Sequence, residues 1–551
     1  MGTDPFPRYL DLSGQIVHPQ PIAVEGMRLS AFSSGVRDPQ RPRLFRPCTP
    51  TQSRRITVKR HAAPLTALVS LIALGLLGAP LSARPALAGQ TAANPPSFLF
   101  KWGSLCKLFD FLGRPGTLQG CVDPDGVGGP LQLGDGQFQQ PGHLAVDSQG
   151  NLYVMDVGNH RIQKFDSRGT LITKWGSFCD LNDEYHQGVA TGCVDPDGGG
   201  ALQLGDGQFL LFIVGGAGIA TDSNDNVYIV DQGNQRIQVF DSNGNFLRKW
   251  GSKCPSRLEP CEGFWNPRGM AIDGNDFVYV VDGGRSFSDE RQPVIDRVQK
   301  FDAYGNRVLK FQFCGPYTGL TCNTPNEITA LNGFALATDA NNRIYVARQF
   351  DSIAIFDSAG NRIGYLSLSL RGDSIAVDSL NQVYVRGILS GNVVVQVLRD
   401  SGGVTPLLLF QFATGSGPGD LQGDGGIALH PGSENVYLSD NTYLGGGSFL
   451  PEIKVWGATP LEVIESLIDL VIDLVDAGAL NQGQGNAFIA QLEAAIQQLD
   501  RDNANAAVNL LQAFINQVNG FINSGVLTPS EGQPLIEAAQ DAIDLILAMS
   551  Q

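Results

Sequence analysis

Residues 136–176 read GQFQQPGHLAVDSQGNLYVMDVGNHRIQKFDSRGTLITKWG, and residues 207–251 read GQFLLFIVGGAGIATDSNDNVYIVDQGNQRIQVFDSNGNFLRKWG. An internal repeat of this size decides the architecture, because each copy is one supersecondary unit that cannot bury its apolar faces alone. Each copy holds four short β-rich runs (AVD, NLYVMD, RIQKFD and LITKWG in the first) separated by Asp, Asn and Gly turns. Four strands per repeat describe one blade of a β-propeller.

The second run gives a register to count by. A Tyr flanked by apolar residues returns at Tyr153, Tyr228, Tyr279, Tyr345, Tyr384 and Tyr437, which makes six blades. The unequal spacing falls mostly between the fourth strand of one blade and the first of the next, so the inter-blade connections are long. Long connections on a rigid scaffold are where function concentrates.

These residues resemble the NHL-repeat family of six-bladed propellers, whose blades carry a Gly-Pro lead, a Gly-Asn turn, a Tyr-Val-x-Asp strand and an Arg-Ile-Gln-x-Phe strand. The match is close around Tyr153 and Tyr228. The blade at Tyr279 keeps Asp282 and Arg297 but inserts SFSDERQPVI, and the blades at Tyr345 and Tyr384 lose the Asp and the Arg. The resemblance implies a fold; such propellers serve as binding scaffolds, lyases and lactonases alike, so the fold does not choose among them.

The last blade offers three strands (Ile427 to His430, Asn435 to Asp440, Glu452 to Trp456) and then runs into helical sequence at Thr459. Phe98 to Gly103 reads FLFKWG, a fourth-strand sequence with no first three strands before it. The N-terminal strand is therefore expected to complete the final blade, which removes the open sheet edge.

Residues 1–52 are rich in Pro and Arg and lack hydrophobic periodicity, which reads as unfolded chain or an over-extended start. Residues 53–88 run from Ser53-Arg54-Arg55 through the apolar Leu65 to Leu77 to Ala86-Leu87-Ala88, the plan of a secretory signal peptide cleaved near Gly89. Ser53-Arg54-Arg55 resembles a twin-arginine signal, although Thr57 sits where that pattern prefers a large apolar residue, so general secretion stays the plainer route. An uncleaved anchor over Ala62 to Ala79 is the other reading; Pro64 and the cleavage site oppose it. The expected product is secreted or cell-surface, with no stable membrane span after cleavage, a propeller over 89–457 and a helical module over 458–551.

Cleavage removes 11 basic and 4 acidic residues and takes the formal charge from −16 to −23. A body this acidic lacks the counterion-release term on which nucleic-acid affinity depends, so nucleic acid is not an expected partner. Eight of nine cysteines remain, in four near pairs: Cys106 with Cys121, Cys179 with Cys193, Cys254 with Cys261, and Cys314 with Cys322. Each pair lies in one inter-blade connection, the first member following a fourth strand. Repeat register and an exported chain predict four local disulfides, and the spacing does not suit zinc.

Inter-blade connections and the turn after each second strand emerge on one face. In register at those strand ends stand Asp156, Asp231, Asp282, Arg348, Gly387 and Asp440. Asp156, Asp231, Asp282, Arg348 and Asp440 are the candidate ligand-binding set, against the plain alternative that each Asp holds its own turn or its blade's Arg. Two connections share GCVDPDGxGGxLQLGDGQF, with Asp123, Asp125 and Asp135 in one and Asp195, Asp197 and Asp206 in the other. Alternating carboxylates before Gly suggest a calcium loop, but the spacing lacks the closing Glu of an EF-hand, and Asp-Pro and Asp-Gly are ordinary turn chemistry.

Catalytic constellations are sparse. His160 lies in DVGNHRIQKF, which resembles a segment of peptide-amidating zinc lyases, but histidines are absent from the second to fifth blades, so channel ligands from several blades are missing. Ser416 sits in a Gly-rich loop without a partner base. The expected function is a non-enzymatic scaffold for an extracellular protein, peptide or glycan; a metal-dependent lyase or lactonase is the alternative.

From Thr459 the period shifts to about 3.6. Thr459-Pro460-Leu461-Glu462 and Thr528-Pro529-Ser530-Glu531 are capping boxes with Pro at the first helical position, and runs near Asn486 to Leu499 and Asn503 to Ile522 complete a four-helix module. Ala513 to Gly532 resembles the FIMAH-type module of secreted bacterial proteins. Glu462, Glu465, Asp469, Asp473 and Asp476 share one face of the first helix, which reads as a solvated face or a binding stripe.

Overall fold

The computed structural model describes residues 96–550 apart from 106, 110–114, 120–135, 180–204, 213–217, 255–261, 284–295, 313–332, 349–351, 400–405, 414–420, 423–424, 432, 434 and 446–447. Six four-stranded antiparallel sheets form the blades of a mainly-β propeller, followed by four helices. Blade 1 comprises Pro141–Val146, Leu152–Asp156, Arg161–Phe165 and Leu171–Trp175; blade 2, Ile219–Thr221, Val227–Asp231, Arg236–Phe240 and Phe246–Trp250. Blade 3 comprises Pro267–Ile272, Val278–Gly283, Asp296–Phe301 and Arg307–Gln312; blade 4, Gly333–Thr338, Ile344–Arg348, Ser352–Phe356 and Arg362–Ser367. Blade 5 runs Arg371–Val377, Gln382–Leu389, Asn392–Arg399 and Leu407–Phe412. Blade 6 takes Ile427–Leu429, Val436–Gly445 and Ser448–Gly457 from the end of the ring and Ser97–Trp102 from its start.

The closing strand pairs antiparallel with the third strand of blade 6, with Phe98 opposite Trp456, Lys101 opposite Lys454 and Trp102 opposite Ile453. Its side chains play fourth-strand parts. In blades 1 and 2 the fourth-strand Trp175 and Trp250 lie over Gly244 and Gly305 in the next blade's third-to-fourth-strand turn; Trp102 lies over Gly169 of blade 1 in the same way. These glycines have φ between +84° and +89°, and a Cβ on any of them would come within 3 Å of the indole. The Gly of each Asp-x-x-Gly turn is thus fixed both by backbone hand and by the neighbouring blade.

The first turns of blades 1 to 4 are locked by their own repeat residues. Asp147, Asp222, Asp273 and Asp339 each accept from the hydroxyl of the second-strand Tyr (Tyr153, Tyr228, Tyr279 and Tyr345) at 2.9 to 3.1 Å. The tyrosines are fully buried, so the hydroxyl needs that partner. Burial and the carboxylate together push the Tyr153 hydroxyl pKa far up.

The helices are α1 (Pro460–Asp476), α2 (Gln482–Leu499), α3 (Ala504–Asn523) and α4 (Pro529–Met549). Both Thr-Pro-x-Glu capping boxes are formed. A third box, Asn481 with Gln484, starts α2 four residues earlier than its apolar periodicity predicts. Glu462, Glu465, Asp469, Asp473 and Asp476 are all exposed on α1. The opposite face of α1 buries Val463, Ile464, Leu467 and Val471 in an apolar cluster that also contains Leu535 and Ile546 of α4 and Leu99, Tyr437 and Val455 of blade 6. Asp544 of α4 lies in the field of Arg168 in blade 1, so this helix also reaches toward blade 1. Among the described residues no helix is long and apolar enough to cross a membrane.

Candidate functional site

The second-strand carboxylates come first. Asp156, Asp231, Asp282 and Asp440 have no exposed surface, so they do not line an open mouth. For three of them the hairpin partner places a cation directly across: Asp156 opposite Arg161, Asp231 opposite Arg236, Asp282 opposite Arg297. The pairs close at 2.7 Å, 2.6 Å and 2.8 Å. In blade 6 Lys454 takes the cationic role toward Asp440 at 2.7 Å. Burial pushes the carboxyl pKa of Asp156, Asp231 and Asp282 up, opposed by the adjoining guanidinium.

Their remaining oxygen capacity holds the incoming chain. The backbone N–H groups of Gln139, Leu210 and Trp265 donate to Asp156, Asp231 and Asp282 at 2.7 to 2.8 Å. From the same sets Arg161 donates to the Gln137 carbonyl, Arg236 to that of Gln208 and Arg297 to that of Gly263. The Gln of Arg-Ile-Gln, which sequence reasoning left without a role, completes the grip: Gln163 donates to the Gln137 carbonyl and accepts from the Gly136 amide, and Gln238 does the same for Gln208 and Gly207. The coincidence of Gly-Gln-Phe before and Arg-Ile-Gln after both Asp156 and Asp231 was the available signal.

Each of these connections is also pinched at its base. Ser104–Leu105 pairs in parallel with Gln137–Phe138, Ser177–Phe178 with Gln208–Phe209, and Lys253 bridges Phe264. The first residues after a fourth strand thus lie beside the last residues before the next blade. Cys179 and Cys254 sit at these pinches, donating to the carbonyls of Phe209 and Phe264. Both are buried. Cys106, Cys121, Cys193, Cys261, Cys314 and Cys322 lie outside the described residues, as do Asp123, Asp125, Asp135, Asp195 and Asp197. Asp206 pairs with Lys249 at 2.6 Å.

Blades 4 and 5 depart from the pattern. Arg348 ends its strand opposite Gly333, and its side chain lies outside the described residues. In blade 5 a Cβ at Gly387 would run into the Arg371 carbonyl, and the ion pair is rebuilt from Arg386 to first-strand Asp373 at 2.7 Å. Across the ring, Arg386 acts on His143 of blade 1, whose pKa is pushed down to about 4 by burial first and by that guanidinium second. His160 is another fastener. It adopts the left-handed conformation (φ 52°) and accepts from the Leu211 amide through Nδ1 at 3.1 Å, which places its proton on Nε2. Burial pushes its pKa down to about 3, so it is a neutral imidazole. Among the described residues no three His, Cys, Asp or Glu side chains gather as a metal cluster. The arrangement can grip two chain segments at the base of each connection; its carboxylates and His160 are committed to backbone partners.

Comparison with known proteins agrees with the repeat reading. Residues 138–165 and 217–240 match the NHL repeat, and residues 464–544 match the FIMAH domain. The chain carries NHL repeats in a six-bladed propeller and a FIMAH domain near its C-terminal end. It is 28% identical over 183 residues to "Protein brain tumor" of Drosophila melanogaster (33% of this chain, 13% of that protein). It is 28% identical over 189 residues to "B-box type zinc finger protein ncl-1" of Caenorhabditis elegans (34% of this chain, 17% of that protein). Among solved structures, a streptogramin B lyase aligns with 57% of this chain and 93% of its own at 10% identity and a TM-score of 0.31.

Proposed function

We propose that this chain is an exported NHL-repeat propeller that binds an extracellular protein, peptide or glycan through its inter-blade connections, without catalysis. The observation that supports this reading is the double fastening at the base of three successive connections, a parallel bridge plus a buried Asp-Arg-Gln set. A connection clamped at both roots presents its intervening residues with less conformational entropy to lose on binding. Disulfides Cys106 to Cys121, Cys179 to Cys193, Cys254 to Cys261 and Cys314 to Cys322 would brace those same connections, each worth about 3 kcal/mol in the chain-entropy model. Export rests on the signal-peptide plan of residues 53–88.

Chemical cross-linking with mass spectrometry, on the protein exported by its own cells, tests this reading. Intermolecular cross-links concentrated on residues 106–135, 180–204 and 255–261 are expected, in a chain whose first residue lies near Gly89. Cross-links confined to the helices or to the opposite turns, or a chain retained inside the cell, would contradict it. Non-reducing peptide mapping of the same sample checks the bridges, and one peptide joining cysteines of different connections would rule out the local scheme.

A further inference from the structure

Blade 6, assembled from both ends of the chain, replaces the Asp-Arg pair of blades 1 to 3 with a cluster of four charges. Lys454 Nζ lies 2.7 Å from Asp440 Oδ2 and 3.7 Å from Glu452 Oε2. Lys101 of the closing strand donates to Glu452 Oε1 at 2.6 Å. Asp440, Glu452 and Lys454 are all buried. The register sets like against like: Asp440 stands opposite Glu452 across one strand pair, and Lys101 opposite Lys454 across the next. Like charges directly opposite on neighbouring strands are destabilising. A guanidinium in the place of Lys454 could only pair, because it keeps its charge, whereas a primary amine is also a nucleophile.

We propose that Lys454 and Asp440 condense into an intramolecular isopeptide bond, with Glu452 as the proton carrier. Glu452 takes a proton from Nζ, and the freed amine attacks Cγ of Asp440. The Gln422 amide, donating to Oδ1 at 3.1 Å, stands where the oxyanion forms. The Thr442 hydroxyl donates to Oδ2, the departing oxygen, at 2.8 Å. The Cγ–Nζ bond forms and the Cγ–Oδ2 bond breaks. Two of the three Nζ protons leave with Oδ2 as water, one of them relayed by Glu452, and the third stays on the amide nitrogen. The step is a condensation within the chain, with no change of oxidation state and no co-reactant.

The surroundings favour the product. Burial keeps water from the new amide, and condensation removes one member of each like-charged pair, which leaves Lys101 and Glu452 as an ordinary ion pair at the edge of the sheet. Blade 1 holds the comparison: Lys164 and Asp147 are also buried, 3.0 Å apart, but among the described residues no second carboxylate pairs with Lys164. That pair lacks the proton carrier and stays an ion pair.

Intact mass and trypsin digestion of the full chain, denatured and reduced, test the bond. The chain should be lighter by one water than its sequence counted from its measured first residue. Trypsin should cut after Lys164 but not after Lys454, whose side chain is an amide. Glu452→Gln should restore the full mass and the cut after Lys454. Lys454→Arg, which rebuilds the pairing of blades 1 to 3, should keep the fold and also have full mass. A parent chain of full mass that is cut after Lys454 would overturn the proposal. So would a missing water that persists in Lys454→Arg, which would place the loss elsewhere in the chain, or undiminished bridging in Glu452→Gln.

Discussion

Asp231 shows how a residue's place and its role come apart. Its backbone position, at the end of a Tyr-x-x-Asp strand beside a turn, is legible from the repeat. Its burial is not, because strand periodicity assigns a face and says nothing of how deeply the following hairpin covers the strand end. The structure gives it no exposed surface and four kinds of donor: the Leu210 amide, Asn234, Arg236 and Gln238. Removing the carboxylate leaves Arg236 buried without its counter-charge, so Asp231→Ala should cost about 3–5 kcal/mol in urea unfolding. The exposed turn Asp241, bonded to the Asn243 and Asn245 amides, should cost only about 1 kcal/mol on the same substitution. Equal costs would contradict the burial argument. His160 gives a pH prediction. Its folded pKa, about 3, lies below the ordinary 6.5, so as pH falls the unfolded chain takes up the proton first. Its contribution to stability is complete above pH 6.5 and declines toward pH 3 by about 1.4 kcal/mol per pH unit. His160→Asn, which tolerates the left-handed turn, should remove that part of the slope in denaturant titrations at several pH values; an unchanged slope would show that His160 protonates in the folded protein.

At the scale of elements, the strand Ser97–Trp102 was readable because it repeats a fourth-strand sequence with nothing to precede it. Its docking is fixed by Trp102 over Gly169 and by its register against Ser448–Gly457. Deleting residues 98–103 should leave blade 6 with an unpaired edge and replace one sharp thermal transition with a broad, aggregating one. A truncated chain with the parent's melting curve would sink the closure. The start of α2 was less readable. Gly483 and Gly485 depress helix propensity there, so the apolar period emerges only downstream, while Asn481 and Gln484 already cap the helix. Gly485 is required by packing, since a Cβ on it would strike Val475 of α1.

At the scale of the whole molecule, blade count and helical module follow from the repeat register and the change of period at Thr459. The docking of the helices on blade 6 does not, because the apolar faces of α1 and α4 would look the same for a free-standing bundle. The structure makes one apolar cluster of the two. The central claim is that buried Asp-Arg-Gln sets weld the roots of the connections to the ring, giving those connections a rigid base. Amide hydrogen exchange of the intact chain tests it most directly, at Gln139, Leu210 and Trp265, three amides from different blades that donate to the buried carboxylates. The prediction is that all three exchange as slowly as the Val230 amide within a blade, because they open only when the ring opens. Exchange as fast as that of the exposed Asn243 amide would show roots that open independently of the blades, and would contradict the claim.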